Sequence, residues 1–238
     1  MDNTAIIIPA RLESTRMKRK LLRADTGKPL VLYALATALK ACDTVIVATD
    51  SEEIMEVVAP YGVMTSPAHT CGTSRIAEVE PSLPSNINVI INIQADEPET
   101  TVDDIMAVHA LLCDHEHDMA DMATLCVEAR GQAAFEDPNT VKVVFDADGD
   151  CRYFSRAPIP HNSKGSRFWK HRGIYAYRRE FLPVFDDLIP GNISTSENLE
   201  QLRAIEAGHH ISICETDNDS VGIDTEADYA AFCERTIV

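Results

Sequence analysis

The 238-residue chain contains a single tryptophan, and its longest apolar runs, such as 5–10 and 89–93, fall far short of the ~20 residues that cross a bilayer. No membrane span is expected. Seven cysteines, at 42, 71, 113, 126, 151, 214 and 233, include no Cys-x-x-Cys pair and form an odd set, which argues against a disulfide framework and a structural zinc site. Most are expected to be small buried hydrophobes. The ten glycines show no period, so collagen-like and solenoid architectures have no support. The amino terminus lacks a basic flank and a small-residue cleavage site, and a cytoplasmic protein is expected. Positive charge is also scarce, with 21 Lys and Arg against 38 Asp and Glu and a net charge of −17. A protein that coats nucleic acid by neutralising phosphates is therefore not expected.

The bases that do occur are clustered. Residues 11–23 hold Arg11, Arg16, Lys18, Arg19, Lys20 and Arg23 against Glu13 alone, and residues 152–179 hold eight bases and no acid. Seven bases face 37 acids elsewhere. Two short basic segments on an acidic body suit a small, highly anionic ligand; solvated loops of chance composition are the alternative.

Apolar, β-branched runs at 4–10, 44–49, 63–65 and 88–94 alternate with helical patterns near 28–41, 51–59, 74–80 and 101–116. That order predicts an α/β fold, a mostly parallel sheet with helices on both faces. Past residue 120 the pattern changes. MATLCVEA and TVKVVFD read as strands, the turn DADGD leads into CRYFSR as a hairpin, and RGIYAYR precedes a helix near 179–187. Helix 196–207, strand 210–215 and helix 225–235 complete the expectation. No linker separates these parts, so residues 1–238 are expected to form one domain with a β-rich lobe at roughly 120–180.

Ligands of open α/β sheets sit beyond the carboxyl ends of the strands. The first such turn, PARLESTRMKRK, is basic and lacks Gly-x-Gly-x-x-Gly, so phosphates here would be held by side chains rather than a glycine loop. Arg11, Arg16 and Lys20 are spaced to surround a polyphosphate. The turn QADEP places Asp96 beyond the fourth strand, and Asp224 lies in VGIDTEAD. Either aspartate serves equally as a helix cap or as half of a magnesium site, which takes one or two carboxylates beside substrate phosphates. His171 and Tyr175 lie on one strand face, where core packing and ligand contact are both open. The turn DADGD lacks the twelfth-position glutamate of a calcium loop and reads as a plain turn. His161, His209 and His210 read as exposed loop histidines.

In order along nearly the whole chain, IIIPARLESTR, GKPL, VIVATD, GTSRIAEV, INIQADEP, DPNTVKVV, YFSRAPIP, HRGIYAYR, NLEQLRAIEAG and GIDTEAD resemble the 3-deoxy-manno-octulosonate (Kdo) cytidylyltransferase family. The resemblance implies a mononucleotide-binding α/β fold, a homodimer, and a magnesium-dependent attack of a sugar acid on CTP that yields CMP-sugar and pyrophosphate for lipopolysaccharide synthesis. It assigns Arg11, Ser14, Arg16 and Lys20 to the triphosphate and Asp96 and Asp224 to Mg2+. Thr73 and Arg75 fall in the nucleotide-lining segment. Gln94, Arg156, His171, Tyr175, Glu200 and Gln201 fall where the family meets its sugar acid.

The sequence departs from the family pattern at five places. Lys18 and Arg19 replace Pro-Gly, Leu21 replaces a second proline, Ala95 replaces the glycine of QGDEP, and Ser74 and Ser194 stand where acids are common. The expected acceptor is Kdo or an 8-amino-Kdo-like variant, and these changes predict a rerouted phosphate loop with either an altered acceptor, such as an amino-deoxy octulosonate or another keto acid, or reduced activity. A cytidylyltransferase for a nonulosonate and a non-catalytic nucleotide-binding paralogue are the alternatives.

Overall fold

The computed structural model describes residues 1–12, 17–69, 71–113, 120–161 and 167–236. The chain divides into two compact units, Met1–Ile105 with Ser220–Val238, and Met106–Asp219.

In the first unit, β1 (Thr4–Ala10), α1 (Val31–Ala41), β2 (Val45–Thr49), α2 (Glu52–Val58), β3 (Gly62–Met64), α3 (Gly72–Val79) and β4 (Val89–Asn92) alternate as expected. Parallel pairing joins β3 to β2, β2 to β1 and β1 to β4, with Ile6 opposite both Val45 and Ile91. Ala5 to Ile8 are fully buried, and a strand enclosed on both faces favours such a continuous apolar run over alternation. The register aligns Ala10 with Thr49 and Thr49 with Met64, so the turns after three strands open at one sheet edge. At the start of α3 the backbone lies so close to β1 that a Cβ on Gly72 would meet Pro9 Cγ at 3.2 Å. Helix α4 (Val102–Cys113) then carries the chain into the second unit.

That unit contains β5 (Met122–Ala129), α5 (Gln132–Glu136), β6 (Lys142–Phe145), β7 (Cys151–Ser155), β8 (Phe168–Arg178), α6 (Phe181–Asp187), α7 (Asn192–Glu197), α8 (Leu202–Glu206) and β9 (Ile211–Glu215). Strand β8 runs antiparallel to β5 and β6, β6 to β7, while β5 and β9 are parallel. The DADGD segment is the hairpin turn, with Asp146 Oδ1 accepting from the amides of Asp148 and Asp150. Finally α9 (Glu226–Thr236) closes the first unit.

Three expectations need correction. The helix expected over 196–207 is two short helices, because Asn198 takes the left-handed conformation (φ 52°) and ends α7. Only Cys42, Cys126 and Cys151 are buried, whereas Cys113 is exposed and the other three are intermediate; all seven are free. His209 and His210 are not idle loop side chains, since their Nδ1 atoms lie 2.9 Å from Asp121 Oδ2 and 3.0 Å from Asp150 Oδ2. Among the described residues no helix is long and apolar enough to cross a membrane.

Candidate active site

The first unit gathers Lys20, Asp96 and Asp224 from three distant parts of the sequence. Lys20 Nζ lies 2.6 Å from Asp96 Oδ2 and 3.2 Å from Asp224 Oδ1, and donates to the Ile223 carbonyl at 2.7 Å. The amide of Ile223 in turn donates to Asp96 O at 2.9 Å, which ties the 223–224 segment to the turn after β4. The lysine side chain is 11% exposed, whereas Asp96 and Asp224 are 30% and 44% exposed. Each carboxylate therefore keeps an open side while sharing one cation.

The helix-cap alternative fails for both aspartates. Thr101 and Asp104 exchange side-chain-to-amide bonds at the start of α4, and Thr225 and Asp228 do the same at α9. Capping by these pairs leaves the Asp96 and Asp224 carboxylates to meet Lys20. Two carboxylates beside one another fit a divalent cation whose remaining ligands come from elsewhere. Among the described residues no group of three or more His, Cys, Asp and Glu gathers as a metal cage.

The phosphate loop keeps its turn despite losing the family's glycine. Arg19 itself adopts the left-handed conformation (φ 54°, ψ 28°) just before the helical turn that carries Lys20. Its guanidinium forms a two-pronged pair with Glu53 on α2. Arg19 thus takes up the glycine's conformation, while residues 13–16 of the loop expected to be rerouted lie outside the described residues. Left-handed geometry costs a non-glycine residue about 1 kcal/mol, comparable to what an exposed ion pair returns at best. Arg19→Gly is expected to match or slightly exceed wild-type stability, whereas Arg19→Val loses on the order of 1–2 kcal/mol in urea titrations. Equal stability of the two variants would remove the strain.

Other assigned residues are placed differently. Arg11 is exposed just beyond β1, and Ser14 and Arg16 lie outside the described residues. Thr73 and Arg75 are both buried on α3. Arg75 bonds Asp50 Oδ2 at 2.7 Å and Thr65 Oγ1, so it fastens the ends of β2 and β3 to α3 instead of presenting its charge outward. Asp50, the last residue of VIVATD, was missed as its partner although its position after a strand marked it. Gln94 Nε2 donates to Asn92 Oδ1 at 3.3 Å. Ala95 is 3% exposed and its φ is not positive, so its methyl is packed and the turn has no need of a glycine.

The second unit holds the remaining candidates. On β8, the rings of His171 and Tyr175 are 5.4 Å apart, and His171 also meets Phe154 of β7 at 5.0 Å. Its Nε2 lies 3.0 Å from Thr124 Oγ1. Enclosure by these groups, helped by neighbouring Arg172, pushes its pKa down to about 3. The unfolded chain therefore binds a proton that the folded chain refuses across roughly pH 6.5 to 3, and stability falls as pH falls through that window. His171→Phe is expected to flatten this slope, by at most about 1.4 kcal/mol per pH unit, in urea titrations between pH 7 and 4. An unchanged slope would show that His171 titrates freely.

The Arg156 guanidinium gives three of its five N–H groups to backbone carbonyls. Its Nε donates to Glu197 O at 2.8 Å, Nη1 to Pro138 O at 3.0 Å and Nη2 to Asn198 O at 3.3 Å. Glu200 and Gln201 follow on the next turn, and Gln201, 4% exposed, has a buried Nε2 without a hydrogen-bond partner among the described residues. Some of the clustered bases meet acids: Arg23 pairs with Glu226, Arg152 with Asp146, Arg167 with Glu128 and Lys170 with Asp219.

A family profile described as cytidylyltransferase matches residues 5–211. The 3-deoxy-manno-octulosonate cytidylyltransferase of Rhodopirellula baltica is 41% identical over 245 residues, covering 97% of each chain. The enzyme of the same name from Leptospira biflexa serovar Patoc is 41% identical over 233 residues, covering 95% of this chain and 94% of its own. Among solved structures, a CMP:2-keto-3-deoxy-manno-octonic acid synthetase complexed with CTP superposes with a TM-score of 0.89 at 34% identity, over 98% of this chain and 97% of the other. A Bacillus anthracis protein described as a putative glucose-1-phosphate thymidylyltransferase shares the fold at a TM-score of 0.70 and 14% identity, over 98% and 95% of the two chains.

Proposed function

The chain belongs to the cytidylyltransferase family, and from that membership we propose that it transfers CMP from CTP to the sugar acid 3-deoxy-manno-octulosonate. The anomeric hydroxyl oxygen of the sugar bonds to the α-phosphorus and gives up its proton to solvent as the bond to the bridging oxygen breaks, and pyrophosphate leaves. The observation that carries this function is the meeting of Lys20, Asp96 and Asp224 at the strand ends of an α/β sheet. Transfer at phosphorus depends on positioning and charge neutralisation more than on a covalent protein group, and those three side chains supply both.

Asp96 and Asp224 would hold a divalent cation, magnesium in this assignment, which neutralises phosphate charge when bound. Lys20 meets the triphosphate with its ammonium, joined by Arg11, Arg16 and Ser14 of the same loop. Arg75 acts through the backbone, keeping α3 and Thr73 against the ends of β2 and β3. Gln94, Arg156, His171, Tyr175, Glu200 and Gln201 are assigned to the sugar acid, and Arg156 also holds the 197–198 carbonyls. The Ala95 methyl is buried and its φ is ordinary, so this departure alone puts no strain on the turn.

A homodimer working in the cytoplasm, where CTP is available, to feed lipopolysaccharide synthesis belongs to the same proposal. Phosphorus NMR of the protein with CTP, magnesium and Kdo tests it. CMP-Kdo and pyrophosphate in equal amounts are expected, with CTP preferred to ATP and GTP. Turnover confined to a nonulosonate, or to a purine triphosphate, overturns it.

A further inference from the structure

Glu197, at the end of α7, takes part in a clasp that no assigned role covers. Its Oε1 accepts from Ser155 Oγ at 2.7 Å and Tyr153 Oη at 3.3 Å, and its Oε2 accepts from the Arg156 amide at 2.8 Å. Arg156 returns the contact, since its guanidinium caps the carbonyls of Glu197 and Asn198. Those carbonyls are the ones a helix leaves without internal partners at its carboxyl end. The exchange offsets the left-handed geometry of Asn198, a non-glycine residue. Burial opposes charge on Glu197, yet the bonds from Ser155, Arg156 and Tyr153 prevail and hold its carboxyl below the ordinary range.

The clasp is braced from behind. Lys142, fully buried on β6, donates to the carbonyls of Arg156 at 2.6 Å, Thr140 at 2.6 Å and Asp137 at 2.9 Å. Immediately after the clasp come Glu200 and Gln201, whose carbonyls accept from Arg203 and Ala204 to start the next helical turn. The buried Gln201 amide nitrogen has no protein acceptor among the described residues. A turn fastened this firmly and followed by an unmatched amide donor is built to be completed by something else.

We propose that Glu197 is a positioning residue for the sugar acid, holding the 198–201 turn against Arg156 so that Glu200 and Gln201 meet the acceptor in one geometry. This rests on the cytidylyltransferase assignment above. Ser155, Tyr153 and the Arg156 amide engage both oxygens of the carboxylate, so its effect on the acceptor is indirect. It belongs to the same unit as every sugar-acid candidate except Gln94.

Steady-state kinetics with CTP, magnesium and Kdo on Glu197→Gln, Ser155→Ala and the double variant test the proposal. Glu197→Gln keeps the shape but loses one acceptor oxygen, and should raise KM for Kdo about tenfold while KM for CTP stays within about twofold. Ser155→Ala should move the same constant in the same direction by less. The double variant should be no worse than Glu197→Gln, because both changes break one shared contact. Equal rises in both KM values, an unchanged KM for Kdo, or additive losses overturn the positioning role. If Glu197→Gln fails to fold, Ser155→Ala decides alone by whether KM for Kdo moves against an unmoved KM for CTP. Wild-type protein that makes no CMP-sugar from CTP and Kdo overturns the cytidylyltransferase assignment instead, and the proposal with it.

Discussion

Asp96→Asn and Asp224→Asn each lower kcat by on the order of 1000-fold while the protein stays folded. The carboxylates share one ammonium, and both keep open sides that a dissolved cation reaches. Asparagine retains the shape and a carbonyl oxygen but removes the charge that would neutralise a metal against the triphosphate. The stability loss is expected to be small, about 1–2 kcal/mol, because Lys20 keeps its other carboxylate and the Ile223 carbonyl. Neither helix start is disturbed, since Thr101 with Asp104 and Thr225 with Asp228 do the capping. Turnover under saturating substrates and urea unfolding, measured on the same preparations, separate these outcomes. Near-wild-type turnover with either variant would remove both residues from the chemistry, and a stability loss as large as that of a core truncation would return them to a structural role.

The parallel half of the fold was legible because enclosure leaves a strong mark: a strand such as 4–8 with no polar residue beyond Thr4 has nowhere to lie but inside a covered sheet. Aspartates just past such strands are likewise visible, since the turns that carry them are short. What could not be read was the use of each charge. Arg75 and Lys20 look alike as bases beside an expected phosphate site, yet one faces inward to Asp50 and the other sits between two carboxylates from residues 76 and 204 positions away. Pairing across such distances depends on strand order, which a local pattern does not carry. Backbone conformation failed in the same way. A glycine missing at 19 suggested a lost turn, but Glu53 holds Arg19 in that conformation, and the break at Asn198 rests on bonds from Arg156. Lys142 was the one discernible hint of the clasp, a lone charge in the apolar run VKVVF.

Lys20→Met produces the other large effect, and it separates two functions of one ammonium. Removing it takes a positive charge from the triphosphate loop, so kcat/KM for CTP should fall on the order of 1000-fold, much of it in kcat. It also leaves Asp96 and Asp224 facing one another without the cation that lies between them. Two carboxylates and one ammonium carry one net negative charge in the wild type and two in the variant, so the variant should attract a divalent cation more strongly. Magnesium that binds only the folded state stabilises by about 2.7 kcal/mol at 100 times its dissociation constant, and a tighter site reaches that point at lower concentration. The melting temperature of Lys20→Met should therefore rise with magnesium chloride at concentrations where wild type barely responds, and potassium chloride at equal ionic strength should not reproduce the rise. The measurement needs no turnover, so it reads the carboxylate pair independently of catalysis. A variant that loses activity but shows no such magnesium response would leave Lys20 with the phosphates and remove Asp96 and Asp224 as the cation site.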